Sequence, residues 1–453
     1  EKTGKINKFQ CGFRANRSTV DHLVRLETFI RDAFTNGEHL VAVFFDLQKA
    51  YDTTWKHGIM NDLYDMGLRG NLPIFISNFL SDRTFQVLVG ATISDQFDQE
   101  EGVPQGAILS TTLFNVKINN IIKVIQPGVE CSLYVDDFVI IYRSKSINDI
   151  ERKLQLAING LNRWTFENGF TISKNKTVAM HFCRKRQHDD PVLKLGNSQI
   201  QFVKEFKFLG LIWDCKLSFK PHITYLRQKC HKTLNLLKVL SNTEWGADKD
   251  TLLKLYRSLV RSKLDYGSIV YGSACKTHLE KLDTVHNQGL RLCLGAFRSS
   301  PVESLYVEAH EPPLELRRQK LAMQYRVKLS ANPTNPAYDV VFKSMYKESY
   351  LEKSDKNYPF SIRSAQMLRG AKINTSNVLE NSIPDNPIWD SFSPSVVLNL
   401  SVYDKSSTPP EIFQSEFNEL KAYYSDYCHI YTDGSKQQEK VASAVVTPYG
   451  TSS

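Results

Sequence analysis

The chain has 453 residues, 42% apolar and 23% charged, the make-up of an ordinary globular protein with room for two to four folding units. Its longest apolar runs, residues 41–45 and 138–141, are strand-sized, so no membrane partner is expected, and eight cysteines without a C-x-x-C pair argue against a disulfide scaffold and against a zinc module. The scatter of those cysteines fits reduced thiols inside the cell, in nucleus or cytoplasm. The net charge of +9 is uneven: residues 216–330 carry 20 Lys/Arg against 10 Asp/Glu, which leaves the remainder near neutral. Such a block suits a polyanion partner, and equally a solvated lysine-rich helical surface.

In chain order, residues 16–34 show a helical pattern, with Val20, Leu23, Val24, Leu26 and Ile30 on one face. Residues 39–47 are an apolar strand ending in an acid. Helices are predicted over 56–66, stopped at Gly67, and over 72–80; residues 85–89 alternate as a strand. A glycine-marked loop over 102–106 leads into a helix over 110–124 with Ser110 as its N-cap. Residues 132–142 form a hairpin with Asp136 and Asp137 at its turn, followed by a helix over 147–168 and a strand over 176–182. This alternation predicts an α+β fold, with helices against an antiparallel sheet.

After Phe219, Ile223, Leu226, Cys230, Leu234, Leu237 and Leu240 fall at helical spacing while Arg227, Lys229, Lys232 and Lys238 take other faces. Residues 252–263 repeat the pattern, so a separate basic helical unit is expected. Residues 332–410, rich in Pro, Ser and Asn, read as a connector with little structure. Residues 429–433 and 441–446 look like the opening hairpin of a further domain. The chain opens on Glu1 without targeting character and is expected to be a partial product.

The strongest chemical signal is acids at the ends of apolar strands. Asp46 closes the run 41–46, and Asp136-Asp137 interrupt the run 134–139. Ionised carboxylates beside apolar strands cost several kcal/mol unless a cation or metal neutralises them. Two Mg²⁺ ions would do so and would also drive an in-line phosphoryl displacement. A plain polar turn is the other reading of Asp136-Asp137.

Six ordered segments carry a family resemblance. Residues 10–19 (QCGFRANRST) resemble the Q-x-G-F-R-x-x-R-S-T element of reverse transcriptases from LINE-like, non-LTR retrotransposons of the I-element and jockey kind. Residues 45–52 (FDLQKAYD) resemble that family's F-D-L-x-K-A-[FY]-D strand end, and 102–106 (GVPQG) its nucleotide-side loop. Tyr134 to Asp137 are similar to its Y-x-D-D hairpin. Asn175-Lys176-Thr177 resemble the following lysine motif, and Phe208-Leu209-Gly210 the segment at the primer end. Ala107 and Thr111-Thr112 depart from the usual serine and proline.

The resemblance implies a right-hand polymerase: partial fingers (1–40), palm (41–215), helical thumb (216–330), connector (331–428) and a ribonuclease H-like start (429–453). It implies RNA-templated addition of dNTPs to a DNA primer, with two Mg²⁺, for which Mn²⁺ can substitute, on Asp46, Asp136 and Asp137, in a nuclear and cytoplasmic ribonucleoprotein. Asp46, Asp136, Asp137 and Lys176 would be catalytic; Leu47 would add a carbonyl ligand. Tyr51 would exclude the ribose 2′-hydroxyl, and Gln105 and Gly106 would meet the nucleotide. Phe208, Leu209, Gly210, Arg227, Lys229 and Lys232 would face nucleic acid. Asp433, in a T-D-G segment, would be the first ribonuclease H carboxylate, with hybrid hydrolysis not expected from this chain. A core tyrosine, a surface lysine and a simple turn are the other readings of Tyr51, Lys176 and Asp433. The rival functions are a viral RNA-dependent RNA polymerase, disfavoured by Val135 and Tyr51, and a nucleic-acid-binding fragment without catalysis.

Overall fold

Seven consecutive buried residues form strand β1 (His39–Phe45), a pattern that requires cover on both faces of the sheet. β1 is the middle of five strands. The structure, a computed structural model, describes residues 5–185, 188–242, 244–343, 346, 348, 350, 358–374, 378, 399–404, 407–427, 429–437, 440–447 and 450–452, from residue 431 onward as backbone only.

Helix α1 (Thr19–Asn36) opens with the Asp21 carboxylate accepting from the Ser18 N–H at 2.7 Å and ends at Gly37, φ 67°. After β1 come α2 (Lys56–Asp65) and α3 (Asn71–Leu80). The single strand expected over 85–89 is instead split between two small hairpins, β2 (Thr84–Phe85) with β5 (Phe97–Asp98) and β3 (Leu88–Val89) with β4 (Thr92–Ile93). Helix α4 (Ile108–Ile118) starts at Ala107, so Ser110 lies buried within its first turn rather than capping it; a 3₁₀ stretch, Asn119–Val124, follows. Then come β6 (Glu130–Tyr134), β7 (Asp137–Ser144), α5 (Ile147–Glu167), β8 (Val178–Phe182), β9 (Lys194–Leu195), β10 (Ser198–Gln199), β11 (Gln201–Phe202), β12 (Glu205–Phe208) and β13 (Leu211–Asp214). The main sheet runs β11-β8-β1-β7-β6, antiparallel except for β11 against β8.

Side-chain alternation sorts β1 between two cores. Val41, Val43 and Phe45 pack with α5 through Ile150, Leu154, Ile158 and Leu161. Leu40, Ala42 and Phe44 pack with α1 and with the helices that follow β13, including α6 (Lys220–Leu240). The basic helices therefore share one continuous core with the sheet, where the sequence pattern suggested a separate unit. The reason is α6 itself: Ile223, Leu226, Cys230, Leu234 and Leu237 are all buried in that core.

The expected connector also differs. Pro336–Phe342 and Phe360–Gly370 are helices that pack on α1, and Phe360 is fully buried. The anchor is Glu27 of α1, whose carboxylate accepts from Arg363 (2.6 Å), from the Phe360 N–H (3.0 Å) and from Arg31. Burial works against its ionisation, yet the two arginines hold its pKa below the usual carboxylate range.

Residues 383–453 form a second compact unit, with a helix, Pro410–Tyr423, and an antiparallel meander of Tyr431–Gln437, Lys440–Thr447 and Gly450–Ser452. The backbone of Asp433 pairs with Ala444; its side chain lies outside the described residues. Among the described residues no helix is long and apolar enough to cross a membrane.

Candidate active site

Two strand pairings bring the acids together. β1 and β7 pair with Phe45 opposite Phe138, and continuing that register sets Asp46 opposite Asp137. β6 and β7 close with Tyr134 opposite Asp137, which leaves Val135 and Asp136 as the two turn residues. By alternation, Asp46 and Asp137 share the sheet face that buries Phe44 and Val139. Leu47 extends β1 by a bridge to Ile172, flanked by Ser173 N–H to Asp46 O at 2.8 Å and Gln48 N–H to Thr171 O at 2.9 Å.

The three carboxylates feel one another. Burial, and then the charges of Asp136 and Asp46, push the Asp137 carboxyl up to about 6. Burial, with Asp46 adding to it, raises Asp136 as well. Lys176, named from its motif, does reach the site: its Nζ lies 3.6 Å from Asp46 Oδ2, but it is 73% exposed and too well solvated to neutralise three acids.

The donor set suits hard divalent cations, which take carboxylate oxygens. The three aspartates are not among the trios of described residues whose ligand atoms all fall within 4.8 Å of one another.

The turn carrying these acids is strained and clamped. Val135 has φ 61°, a left-handed conformation that is costly for a β-branched residue, about 1–3 kcal/mol. Gln10 holds it on both sides: Oε1 accepts from the Val135 N–H (3.2 Å) and Nε2 donates to the Val135 carbonyl (3.4 Å). Gln10 reaches this position because residues 9–11 run parallel beside β6, with Cys11 N–H to Leu133 O at 3.1 Å. Gly12 completes the clamp; a Cβ there would stand 2.4 Å from Val135 Cγ2 and 2.7 Å from its N, and Asn115 Nδ2 donates to the Gly12 carbonyl at 2.7 Å. The sequence motif contained Gln10 and Gly12 but gave them no role, since their partner lies more than 120 residues away.

Tyr51, Gln105 and Gly106, the residues expected to meet a nucleotide, share one cavity of about 560 Å³, lined also by Phe13, Ile108 and Thr111. Tyr51 stacks on Phe114 (centroids 4.4 Å, planes 14° apart), and burial followed by the Asp136 charge raises its hydroxyl to about 12, so it stays neutral. Gln105 Nε2 donates to Asp52 Oδ1 at 2.8 Å. The loop is tied down by Gly102 N–H to Thr54 O (2.9 Å) and Val103 N–H to Tyr51 O (3.0 Å). Gly102, at φ 84°, is required there: a Cβ would meet the Asp52 carbonyl at 2.6 Å.

Phe208, Leu209 and Gly210 form the tip of the β12–β13 hairpin, with Leu209 (φ 44°) and Gly210 (φ 83°) as its two turn residues. Tyr266, which sequence reasoning missed, fixes this tip by donating to the Leu209 carbonyl at 2.8 Å. Arg227, Lys229 and Lys232 all lie exposed on α6. Not every basic residue in this region is available: Arg257 and Arg261 pair with Glu311 at 2.6 and 2.7 Å, and Arg317 with Asp265 at 2.8 Å.

Residues 1–213 match the family described as reverse transcriptase (RNA-dependent DNA polymerase). Over 341 residues the chain is 28% identical to the RNA-directed DNA polymerase from mobile element jockey of Drosophila melanogaster, covering 74% of this chain and 37% of that protein. The jockey counterpart of Drosophila funebris is 27% identical over 343 residues, with the same two coverages. A probable RNA-directed DNA polymerase from transposon X-element of Drosophila melanogaster is 25% identical over 307 residues, covering 65% of this chain and 33% of that protein. The chain thus spans about a third of the length of these three relatives.

Proposed function

We propose that this chain, whose residues 1–213 match the family described as reverse transcriptase, carries the RNA-directed DNA polymerase core of a non-LTR retrotransposon. The observation that carries the reading is the meeting of Asp46, Asp136 and Asp137 at adjoining strand ends, together with a cavity lined by Tyr51 and Gln105. When bound, two divalent ions, Mg²⁺ or Mn²⁺, held by these acids and the Leu47 carbonyl supply activation of the primer 3′-hydroxyl and stabilisation of the departing pyrophosphate. The reaction is templated by RNA and uses dNTPs.

The remaining work falls to the chain's own side chains. Gln10 and Gly12 hold the acid-bearing turn in its strained conformation. Gln105 and Gly106 orient the nucleotide, and Lys176 lends positive charge to the pyrophosphate. The exposed Arg227, Lys229 and Lys232 track phosphates without reading sequence. The plan of partial fingers, palm, thumb, connector and ribonuclease H-like start, with Asp433 as an acid of the last, belongs to this proposal. It carries one modification, because the helices Pro336–Phe342 and Phe360–Gly370 pack on α1 and do not link units.

Primer extension on poly(rA)–oligo(dT) with Mg²⁺ or Mn²⁺ tests the reading. Incorporation of dTTP supports it; template binding with no incorporation would leave only a nucleic-acid-binding fragment.

Three outcomes are expected here. Tyr51→Val opens the sugar side of the cavity, so rNTP incorporation relative to dNTP should rise at least roughly tenfold, and an unchanged ratio would remove Tyr51 from sugar selection. Gly12→Ala pushes on Val135 and should lower kcat by roughly 10²-fold with little change in primer–template affinity, as expected when reacting groups shift by a fraction of an ångström. Wild-type turnover would show that the clamp is dispensable. The third concerns pH. The raised Asp137 carboxyl is protonated below about pH 6, and an ion must displace that proton, so Mn²⁺ affinity should fall as pH drops through 6. A flat affinity between pH 5 and 7.5 would contradict this assignment.

A further inference from the structure

β1 begins at His39, seven residues before Asp46 and, at about 3.3 Å per residue, roughly 23 Å from it. This opposite end of the strand holds a second cluster of metal-ligating side chains. β1 and β8 pair with Leu40 opposite Phe182 and Val41 opposite His181, so continuing the register sets His39 opposite Cys183. His39, His181 and Cys183 are therefore on the same face of the sheet, and each is only 3% exposed. One ligand atom from each lies within 4.8 Å of the others.

The surroundings are arranged for ligands rather than for a simple core. His181 Nδ1 meets Asp190 Oδ1 at 2.8 Å. A carboxylate there fixes the tautomer, putting the proton on Nδ1 and leaving the Nε2 lone pair pointing inward, the arrangement that orients histidine ligands of metals. That Nε2 is 2.9 Å from His39 Nδ1. Burial disfavours the charged form of both histidines, at His181 despite Asp190. His188, in a second trio with His181 and Asp190, has its ring centroid 4.2 Å from that of His181. In the metal-free chain a hydrogen-bonded series from Lys185 through His39 and His181 to Asp190 accounts for the ring nitrogens, with Lys185 Nζ 3.3 Å from His39 Nε2. The Cys183 sulfur faces the same cluster and accepts from the Lys185 N–H at 3.4 Å.

We propose that His39, His181 and Cys183 bind one zinc-class divalent ion, with Asp190 orienting His181. Two imidazoles and a thiolate are borderline-soft donors that select Zn²⁺ over the hard Mg²⁺ suited to three carboxylates. Binding releases the Cys183 thiol proton to solvent and shifts the His39 proton from Nδ1 to Nε2 as Lys185 withdraws. The ion ties the start of β1 to the end of β8, securing the strand whose other end carries Asp46.

The test uses the full chain, stripped with a chelator and then titrated with Zn²⁺ or Co²⁺. Expected are one tightly held Zn²⁺ per chain by elemental analysis, a thiolate-to-cobalt absorption band, and a melting temperature raised by several degrees on adding Zn²⁺. The conservative Cys183→Ser variant should lose the band and most of the thermal shift, while Asp136→Asn should keep both, which separates this site from the acids. No retained Zn²⁺, a cobalt spectrum without the thiolate band, or equal shifts in wild type and Cys183→Ser would overturn the site.

Discussion

Asp136→Asn is expected to abolish primer extension, by at least about 10³-fold, without unfolding the chain. The side chain keeps its shape and asparagine suits the second position of the Val135–Asp136 turn, so Gln10 can still clamp the hairpin. What disappears is one negative charge from a cluster in which burial and neighbouring acids already raise Asp136 and Asp137. Removing it relieves repulsion on Asp137, and the thermal midpoint should stay level or rise slightly. Loss of turnover with equal or greater stability is the behaviour of a functional site held at the expense of stability. Incorporation within tenfold of wild type would remove Asp136 from the chemistry; a marked fall in melting temperature would make its role structural.

Glu27→Ala carries the largest expected effect on stability, about 3–5 kcal/mol, because it removes the fully buried carboxylate that Arg31 and Arg363 share. Glu27 is fully buried, and its carboxylate receives Arg31, Arg363 and the Phe360 N–H, so one side chain of α1 holds a helix more than 300 residues away. Urea denaturation is the measurement. The double variant with Arg363→Ala should cost clearly less than the sum of the two single changes, since the second removes a charge the first has orphaned. A loss below about 1 kcal/mol, or strict additivity, would mean that the helix Phe360–Gly370 is held by apolar contacts such as Phe360 and that the ion network adds little.

These two sites mark how far the sequence could be read. Asp46, Asp136 and Asp137 were legible because the chemistry is written locally: an apolar strand ending in an acid, a hairpin turn made of acids, and flanking motifs of fixed order. Tyr51, Gln105 and Gly106 were named by the family resemblance alone, and they line one cavity. Helix α1 was legible only on one face. Leu23, Leu26 and Ile30 point to a core, but Arg25, Glu27, Arg31 and Asp32 look like a solvated face and are instead buried. Their partners sit far along the chain: Ser132 for Arg25, Arg363 for Glu27, Tyr350 for Asp32. No periodicity reports such pairings. The stretch 332–410 misled for a related reason, because proline-rich composition suggested a linker while single residues such as Phe360 and Ile362 anchor it. Gln10, Gly12, Tyr266 and the pairing of His39 with His181 likewise depend on which strands become neighbours.

The ends of β1 and the β6–β7 hairpin are expected to hold two divalent ions between them. Crystals of the chain grown with Mn²⁺, primer–template and an unreactive dNTP analogue would test it most directly through anomalous scattering. Two peaks about 3.5–4 Å apart, both within coordination reach of Asp46 and Asp136, are the expected result. A single peak, or none at these residues while the analogue occupies the Tyr51 cavity, would contradict the account.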